Sequence, residues 1–378
     1  MSNVGIIHST LNPCGGSELV ALHTIKALKE EGIRTCLFTF DKTDWTRVIN
    51  LTNIDVRPDK EVVLMKTRLP LFGLYQRFLS GVPLLIHRRN LDLIINTHGD
   101  IIPFSSDITY IHFPTTAYLY TEYSEYSKYD KNLFWKIYFQ PYRLLASSVG
   151  DRWIRDTIIL TNSSYSSMAI KKILGRGSIV IYPPVAISEY LEAGVKSIKR
   201  ENLVVSIARY AEEKNIDRLI DIAMKTKSAR FIHIGVSYNP ISEAYYHRLK
   251  KRAQREGALN ISFLKNISHV DKLKILSRAS VYLHPPFAEH FGISIVEAMA
   301  SGLVPVVPRD GGVWTDIVYR GRYGFGYRNA DEAGKIISEI ISNEEIYIEY
   351  RELALVRSKK FSDDFFRKRI SKVIRCFL

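Results

Sequence analysis

Short apolar runs, each bounded by glycine, proline or polar turns, recur along the chain and alternate with stretches of helical spacing. Val4-Gly5-Ile6-Ile7 is the first run. A helical segment from Leu19 to Leu28 follows it, stops near Gly32, and gives way to a second apolar run, Thr35 to Phe40. Runs this short, without polar alternation, predict strands buried on both faces, and strand–helix–strand order predicts a parallel, doubly wound sheet. The same sheet takes Leu93 to Thr97, a strand that begins at Ile108 and ends in a loop by Thr115, and Ser178 to Ile181. Tyr182-Pro183-Pro184-Val185 then interrupts the pattern. A second series follows: Asn202 to Ala208, Arg230 to Ile234, Ile261 to Leu264, Val281 to His284 and Val304 to Pro308, spaced by helical segments at 216–226, 244–256 and 270–277. Gly321, Gly324 and Gly326 read as a loop, helices fill the remainder, and the last of these, Asp363 to Phe377, is amphipathic. The predicted class is α/β with two Rossmann-like domains, 1–185 and 186–360, and a C-terminal helix at 361–378.

A length of 378 residues agrees with two cores. Cys14, Cys36 and Cys376 are too few and too scattered for a disulfide framework or a zinc site, so a reducing, cytoplasmic location is expected. The start of the chain shows no basic leader with a long apolar run, so no signal peptide is expected. The formal net charge of +14 draws anions: nucleotides, nucleic acid or acidic lipid headgroups. A nucleic-acid-binding protein is the rival reading of that charge, but no helix-turn-helix, zinc or RNP-type signature accompanies it.

The most informative stretch is Glu289-His290-Phe291-Gly292-Ile293-Ser294-Ile295-Val296-Glu297, between the run Val281 to His284 and a helix that Gly302 stops. A helix opened by glycine offers free N–H groups and the positive end of a dipole, which suits a phosphate. Carboxylates suit the donating hydroxyls of sugar and ribose. Phe291, Gly292, Ile293 and Ser294 are therefore candidates for phosphate contact, with Glu289 and Glu297 for hydroxyls; two solvated glutamates on a helix is the plain alternative. Gly15-Gly16, after the first strand, lets a ligand approach the backbone closely, or is simply a tight turn; it is not a G-x-G-x-x-G fingerprint. Arg209 and Lys214 lie in a strand-to-helix loop, where two cations can neutralise a diphosphate. His112 ends a predicted strand, at the edge where open α/β sheets bind ligands.

The phrase EHFGISIVEAMASGLVPVV with the following DGG resembles the retaining glycosyltransferases of family 4, whose E-x7-E pattern Glu289 and Glu297 reproduce. The resemblance covers nearly the whole chain and is densest from Leu203 to Asp316; YIHFPTT around His112 is most similar to the mannosyltransferases of lipid-linked oligosaccharide synthesis. It implies the GT-B fold: two Rossmann-like domains facing a central cleft, with the last helix crossing back to the first domain. It further implies that the GG turn and the Arg209/Lys214 pair serve the donor diphosphate, and that Glu297 binds the ribose. Glu289 and His112 would act at the transferring sugar, and backbone near Asn266 and Ile267 would read the base. No Asp-x-Asp pair sits where a metal would be needed, so neither metal nor other cofactor is expected. The implied activity is a retaining hexosyltransferase with a nucleotide-sugar donor, best read as GDP-mannose. UDP-glucose, UDP-N-acetylglucosamine, a soluble glycan acceptor, or a GT-B epimerase or silent sugar-nucleotide binder stay open.

Residues 66–90 hold Lys66, Arg68, Arg77, Arg88 and Arg89 and no acid, around Phe72, Leu74, Tyr75, Phe78 and Leu79. Pro70, Gly73, Gly81 and Pro83 break the run, so it reads as an element lying in an anionic membrane interface, or as a core helix with basic ends, rather than a membrane span. Aromatic residues crowd 118–142, from Tyr118 to Tyr142, and suit a glycolipid or lipid-linked acceptor, with packing within the first domain as the alternative for half of them. The expected setting is peripheral, on the cytoplasmic face of a membrane.

Overall fold

The computed structural model describes residues 2–66, 73–100, 104–115, 133, 137–142, 144, 154–196, 200–237 and 239–378. The chain divides into two units, Met1–Pro184 with Asp363–Leu378, and Val185–Ser362.

The first unit is built on a seven-stranded sheet ordered β3-β2-β1-β4-β5-β6-β7. Its strands are β1 (Asn3–Ile7), β2 (Arg34–Asp41), β3 (Lys60–Met65), β4 (Leu93–Asn96), β5 (Ile108–Ile111), β6 (Ile158–Thr161) and β7 (Ile179–Val180). All neighbours pair in parallel, with Ile7 opposite Phe38 on one side and Asn96 on the other. The β-branched and aliphatic runs of β1, β4 and β5 are fully buried, as a strand covered on both faces requires. The helix Gly16–Glu30 returns the chain from β1 to β2 and turns Val20, Ala21, Ile25 and Leu28 into the core. The helix Asp363–Ile374 presents Phe366, Ile370 and Ile374, a stripe of i, i+4, i+8 spacing, to that same core. Ion pairs Arg375–Glu31 (2.9 Å) and Arg367–Glu30 (3.2 Å) bind its rim to the end of the helix Gly16–Glu30.

The second unit carries a six-stranded parallel sheet ordered β10-β9-β8-β11-β12-β13. Here β8 is Glu201–Ile207, β9 Arg230–Gly235, β10 Ile261–Lys265, β11 Ala279–Leu283, β12 Val304–Pro308 and β13 Phe325–Tyr327. Its core joins Val204, Val281, Leu283 and Val306 of the strands to Ile220 and Ile337 of the covering helices.

Three strands go beyond those predicted: β3, β6 and β13. β3 is an edge strand whose residues are only half-buried, and β13 is a three-residue Phe-Gly-Tyr segment inside what reads as a glycine-rich loop. The last helix ends at Ile374, not Phe377.

Candidate active site

In each sheet the strand order runs outward from a central strand, then resumes on its other side, between β1 and β4 and between β8 and β11. The carboxyl ends of strands at such a reversal of order are the place where open α/β sheets bind ligands.

In the second unit, Glu289 follows β11 and Glu297 lies in the helix Ile293–Ala300. Gly292 caps that helix at φ +98°, a left-handed conformation that favours glycine. The first amides of the helix have no acceptor within it. Ser294 Oγ donates to Ile207 O (3.2 Å) and lies 2.8 Å from the Tyr282 phenol, tying the helix start to the end of β8. Phe291 is buried edge-on against Phe361.

The Asp310-Gly311-Gly312 turn positions Glu289. Asp310 accepts from the Ala288 amide (2.9 Å), the Gly312 amide donates to Glu289 O (2.8 Å), and Gly311 passes so close, at φ +72°, that a Cβ would stand 2.4 Å from Glu289 O. The Glu289 carboxylate thereby meets Lys214 Nζ at 2.6 Å and faces His284 Nε2 at 3.7 Å. Burial works to raise the Glu289 carboxyl, but Lys214 and then His284 outweigh it and hold it at about 2. His284 is buried with neither ring nitrogen hydrogen-bonded among the described residues, and burial lowers its ring to about 4. Lys214 comes from the turn Glu212–Lys214 after β8, while Arg209 is half-exposed and pairs with Glu213 at 2.9 Å. Glu297 pairs with Lys272 at 3.2 Å. Asn266 takes a left-handed φ of 54°, and its side-chain amide exchanges two 3.0 Å hydrogen bonds with the Ser237 backbone, which fixes the loop carrying Ile267.

In the first unit, the Gly15 amide is already satisfied by Glu18 Oε2 at 2.8 Å, the carboxylate of its own helix's first turn. Gly15 and Gly16 thus open the helix, with an internal acceptor at its tip. Glu18 is buried, its Oε1 lies 3.6 Å from His8 Nε2, and although burial raises its carboxyl the His8 contact brings it below the usual range. His8 Nδ1 is 3.0 Å from Thr97 Oγ1. That hydroxyl spends its proton on Ile7 O (3.1 Å), so it accepts from His8. The Thr97 carbonyl in turn accepts from His112 Nε2 at 3.0 Å, leaving Nδ1 of His112 as the acceptor nitrogen. Burial lowers the His112 ring to about 4, so it is neutral at physiological pH. Ser166, in the helix that Ser163 caps, donates to His112 O (3.0 Å), and Asp100 grips Thr115 N (2.6 Å) and Oγ1 (2.7 Å). His8, Thr97, His98 and His112 therefore cluster at the carboxyl ends of β1, β4 and β5, with the His8 and His98 rings 4.8 Å apart.

Sequence reasoning singled out His112 and missed His8, Glu18 and Thr97, as it missed His284, Lys272 and Tyr190 in the second unit. His8 directly follows an apolar strand, the same signal that marked His112. Among the described residues no cluster of three His, Cys, Asp or Glu side chains is placed to hold a metal ion. Of the basic element, Arg68 and Phe72 lie outside the described residues, as do Tyr118 to Tyr129, Phe134 and Trp135 of the aromatic stretch. Phe139 and Tyr142 pack on Leu74 in a small buried cluster, and Leu85 and Ile86 are 72% and 80% exposed beside Arg88 and Arg89. Among the described residues no helix is long and apolar enough to cross a membrane.

Residues 189–354 match the family described as Glycosyl transferases group 1. The match lies within the second unit, and the fold of the chain is that of the GT-B structures. Among curated proteins the chain is similar to the GDP-Man:Man(3)GlcNAc(2)-PP-Dol alpha-1,2-mannosyltransferases. It is 24% identical to that of Dictyostelium discoideum over 99% of this chain and 84% of that protein. It is 28% identical to that of Kluyveromyces lactis over 83% of this chain and 63% of the other. The matches with the Neurospora crassa and Mus musculus proteins span about half of those proteins, 49% and 50%. Among solved structures, sucrose-phosphate synthase from Thermosynechococcus elongatus superposes with a TM-score of 0.76 at 15% identity, covering 99% of this chain and 98% of that one. Anabaena HepE in complex with UDP-glucose gives 0.71 at 18%, covering all of both chains.

Proposed function

We propose that the protein is a retaining mannosyltransferase that takes mannose from GDP-mannose and passes it to a lipid-linked oligosaccharide at the cytoplasmic face of a membrane. The observation that carries this reading is a pair of carboxylates, Glu289 ahead of the glycine-capped helix Ile293–Ala300 and Glu297 within it, each paired with a lysine. The relatives' activity supplies the donor and the acceptor class.

The amides at Gly292 to Ser294 and the side chains of Arg209 and Lys214 take the diphosphate. Such preorganised donors stabilise the charge that develops as the sugar–phosphate bond breaks, at roughly 3–4 kcal/mol for each well-placed group. Glu297 accepts from the ribose hydroxyls, and the Asn266–Ile267 backbone meets the base edge. Glu289, kept ionised, stabilises the positive charge at the anomeric carbon, and His112, neutral, accepts from a sugar hydroxyl through Nδ1. The acceptor oxygen bonds to the anomeric carbon on the face the diphosphate leaves. The bonding pair departs with GDP, and the acceptor's proton goes to the departing phosphate oxygen. No step requires a metal.

Membrane association belongs to the same reading: Leu85 and Ile86, exposed beside Arg88 and Arg89, suit an anionic interface. The test is transfer from labelled GDP-mannose, UDP-glucose and UDP-N-acetylglucosamine to lipid-linked oligosaccharide and to soluble glycans. Product only from GDP-mannose onto lipid is expected; product only from a UDP-sugar, or none from any donor, overturns the assignment.

A further inference from the structure

Three helices of the second unit meet behind Glu297. Tyr190 lies in the helix Ser188–Lys196, Lys272 in the helix His269–Arg278, and Glu297 in the helix Ile293–Ala300; the first packs on the other two. Lys272 Nζ is 3.2 Å from Glu297 Oε2 and also stands 5.1 Å over the centre of the Tyr190 ring, with only 19% of the lysine side chain exposed. The Tyr190 phenol faces the same carboxylate; burial first, and then Glu297, push its ionisation far above the usual range, so it is a proton donor throughout the working pH range. Tyr190 is 4% exposed, and its ring is fixed edge-on by His269, 5.7 Å away, which Glu189 holds at 2.7 Å.

The placement of Lys272 exceeds what packing asks. A lysine with a free stem would place its ammonium in water. Here it is drawn inward between a carboxylate and an aromatic face, which costs side-chain entropy and desolvation. The result is a carboxylate anchored through Oε2, with 18% of its side chain exposed. A carboxylate that must choose between ribose and deoxyribose needs that rigidity, because discrimination comes from a hydroxyl either meeting a fixed acceptor or leaving it unmet.

We infer that Lys272 and Tyr190 are specificity-determining residues that fix the Glu297 carboxylate for recognition of the ribose hydroxyls of a nucleoside diphosphate. They act through Glu297 and are positioning residues; the inference rests on the reading of Glu297 as the ribose contact.

The experiment measures binding of GDP, 2′-deoxy-GDP and 3′-deoxy-GDP by calorimetry to the wild-type chain and to Lys272→Met, Lys272→Arg, Tyr190→Phe and Glu297→Gln, each checked by its melting curve. The wild type should prefer GDP over at least one deoxy analogue. Lys272→Met should lose roughly tenfold of that preference, the size of one charge-assisted hydrogen bond, while Lys272→Arg retains most of it. Tyr190→Phe, which keeps the ring, should fall between them. A folded Lys272→Met and Tyr190→Phe with the wild-type preference intact, in the face of a Glu297→Gln that loses it, overturns this inference and leaves the ribose assignment standing. A wild type without any preference overturns both.

Discussion

Lys214 Nζ lies 2.6 Å from Glu289 Oε2, and the two side chains are each about four-fifths covered. A diphosphate competes with Glu289 for that ammonium, so the two residues are expected to separate in their effects. Glu289→Ala should lower turnover by about a hundredfold or more, since its charge is needed at the reacting sugar, while GDP affinity holds or rises as Lys214 is released to the diphosphate. Lys214→Met should weaken GDP by roughly tenfold. Steady-state rates alongside calorimetry check this; a normal rate for Glu289→Ala removes it from the chemistry.

Arg209 offers the opposite case. Its pair with Glu213 is half-exposed and of i, i+4 spacing, an arrangement worth little to stability. Arg209→Ala should therefore melt within about 0.5 kcal/mol of the wild type without ligand. Added GDP should raise its melting temperature less than it raises the wild type's. An unaltered nucleotide-induced shift counts against a role at the diphosphate.

The buried histidines set an acid limit to stability. Burial lowers His233 to about 3, and His112 and His284 to about 4, from an ordinary value near 6.5. Each is a base with a depressed folded pKa, so below about 6.5 the unfolded chain binds a proton that the folded chain refuses. Stability is then full above that pH and falls as pH drops toward 4, by up to about 1.4 kcal/mol per pH unit for each histidine. Denaturant titrations at pH 7, 6 and 5 should show this loss before the carboxylates titrate. His284→Leu, which also removes two nitrogens without hydrogen bonds among the described residues, should reduce the slope; an unchanged slope refutes its contribution.

The parts of the site that were legible in the sequence are those written locally. The helix at Glu297 announces itself through Gly292, Gly302 and an apolar run, and the parallel sheets through short runs without alternation. Pairings that depend on strand order were not legible. Lys214 and Glu289 stand 75 positions apart and meet because β8 and β11 are neighbours. His8, Thr97 and His112 meet because β4 and β5 insert beside β1. β3 and β13 stayed hidden for a different reason: an edge strand carries few buried positions, and three residues containing a glycine carry no period.

The pair Leu85 and Ile86 gives the membrane proposal a measurable form. Both are more than two-thirds exposed, whereas Leu84 beside them is buried with Phe38 and Ile94. Leu85→Ser/Ile86→Ser should thus leave melting nearly unchanged, yet cut flotation with vesicles rich in phosphatidylserine, which the wild type should join at low salt and leave at high salt. Equal flotation of both proteins would move the contact elsewhere on the chain.

Phe366 tests the last helix. Its ring is 1% exposed and lies in a core shared with Val20, Leu22 and Ile25. Truncation to alanine removes its burial and leaves a cavity between the helix Asp363–Ile374 and the helix Gly16–Glu30, which pack on one another. The expected cost is about 3–5 kcal/mol, a large share of the stability of a domain this size. Phe365, 40% exposed in the adjacent position, should cost under about 1 kcal/mol on the same change. Urea titrations of the two variants decide it. Equal and small losses would mean that the helix is held by its rim ion pairs, Arg375–Glu31 and Arg367–Glu30, and not by the apolar stripe.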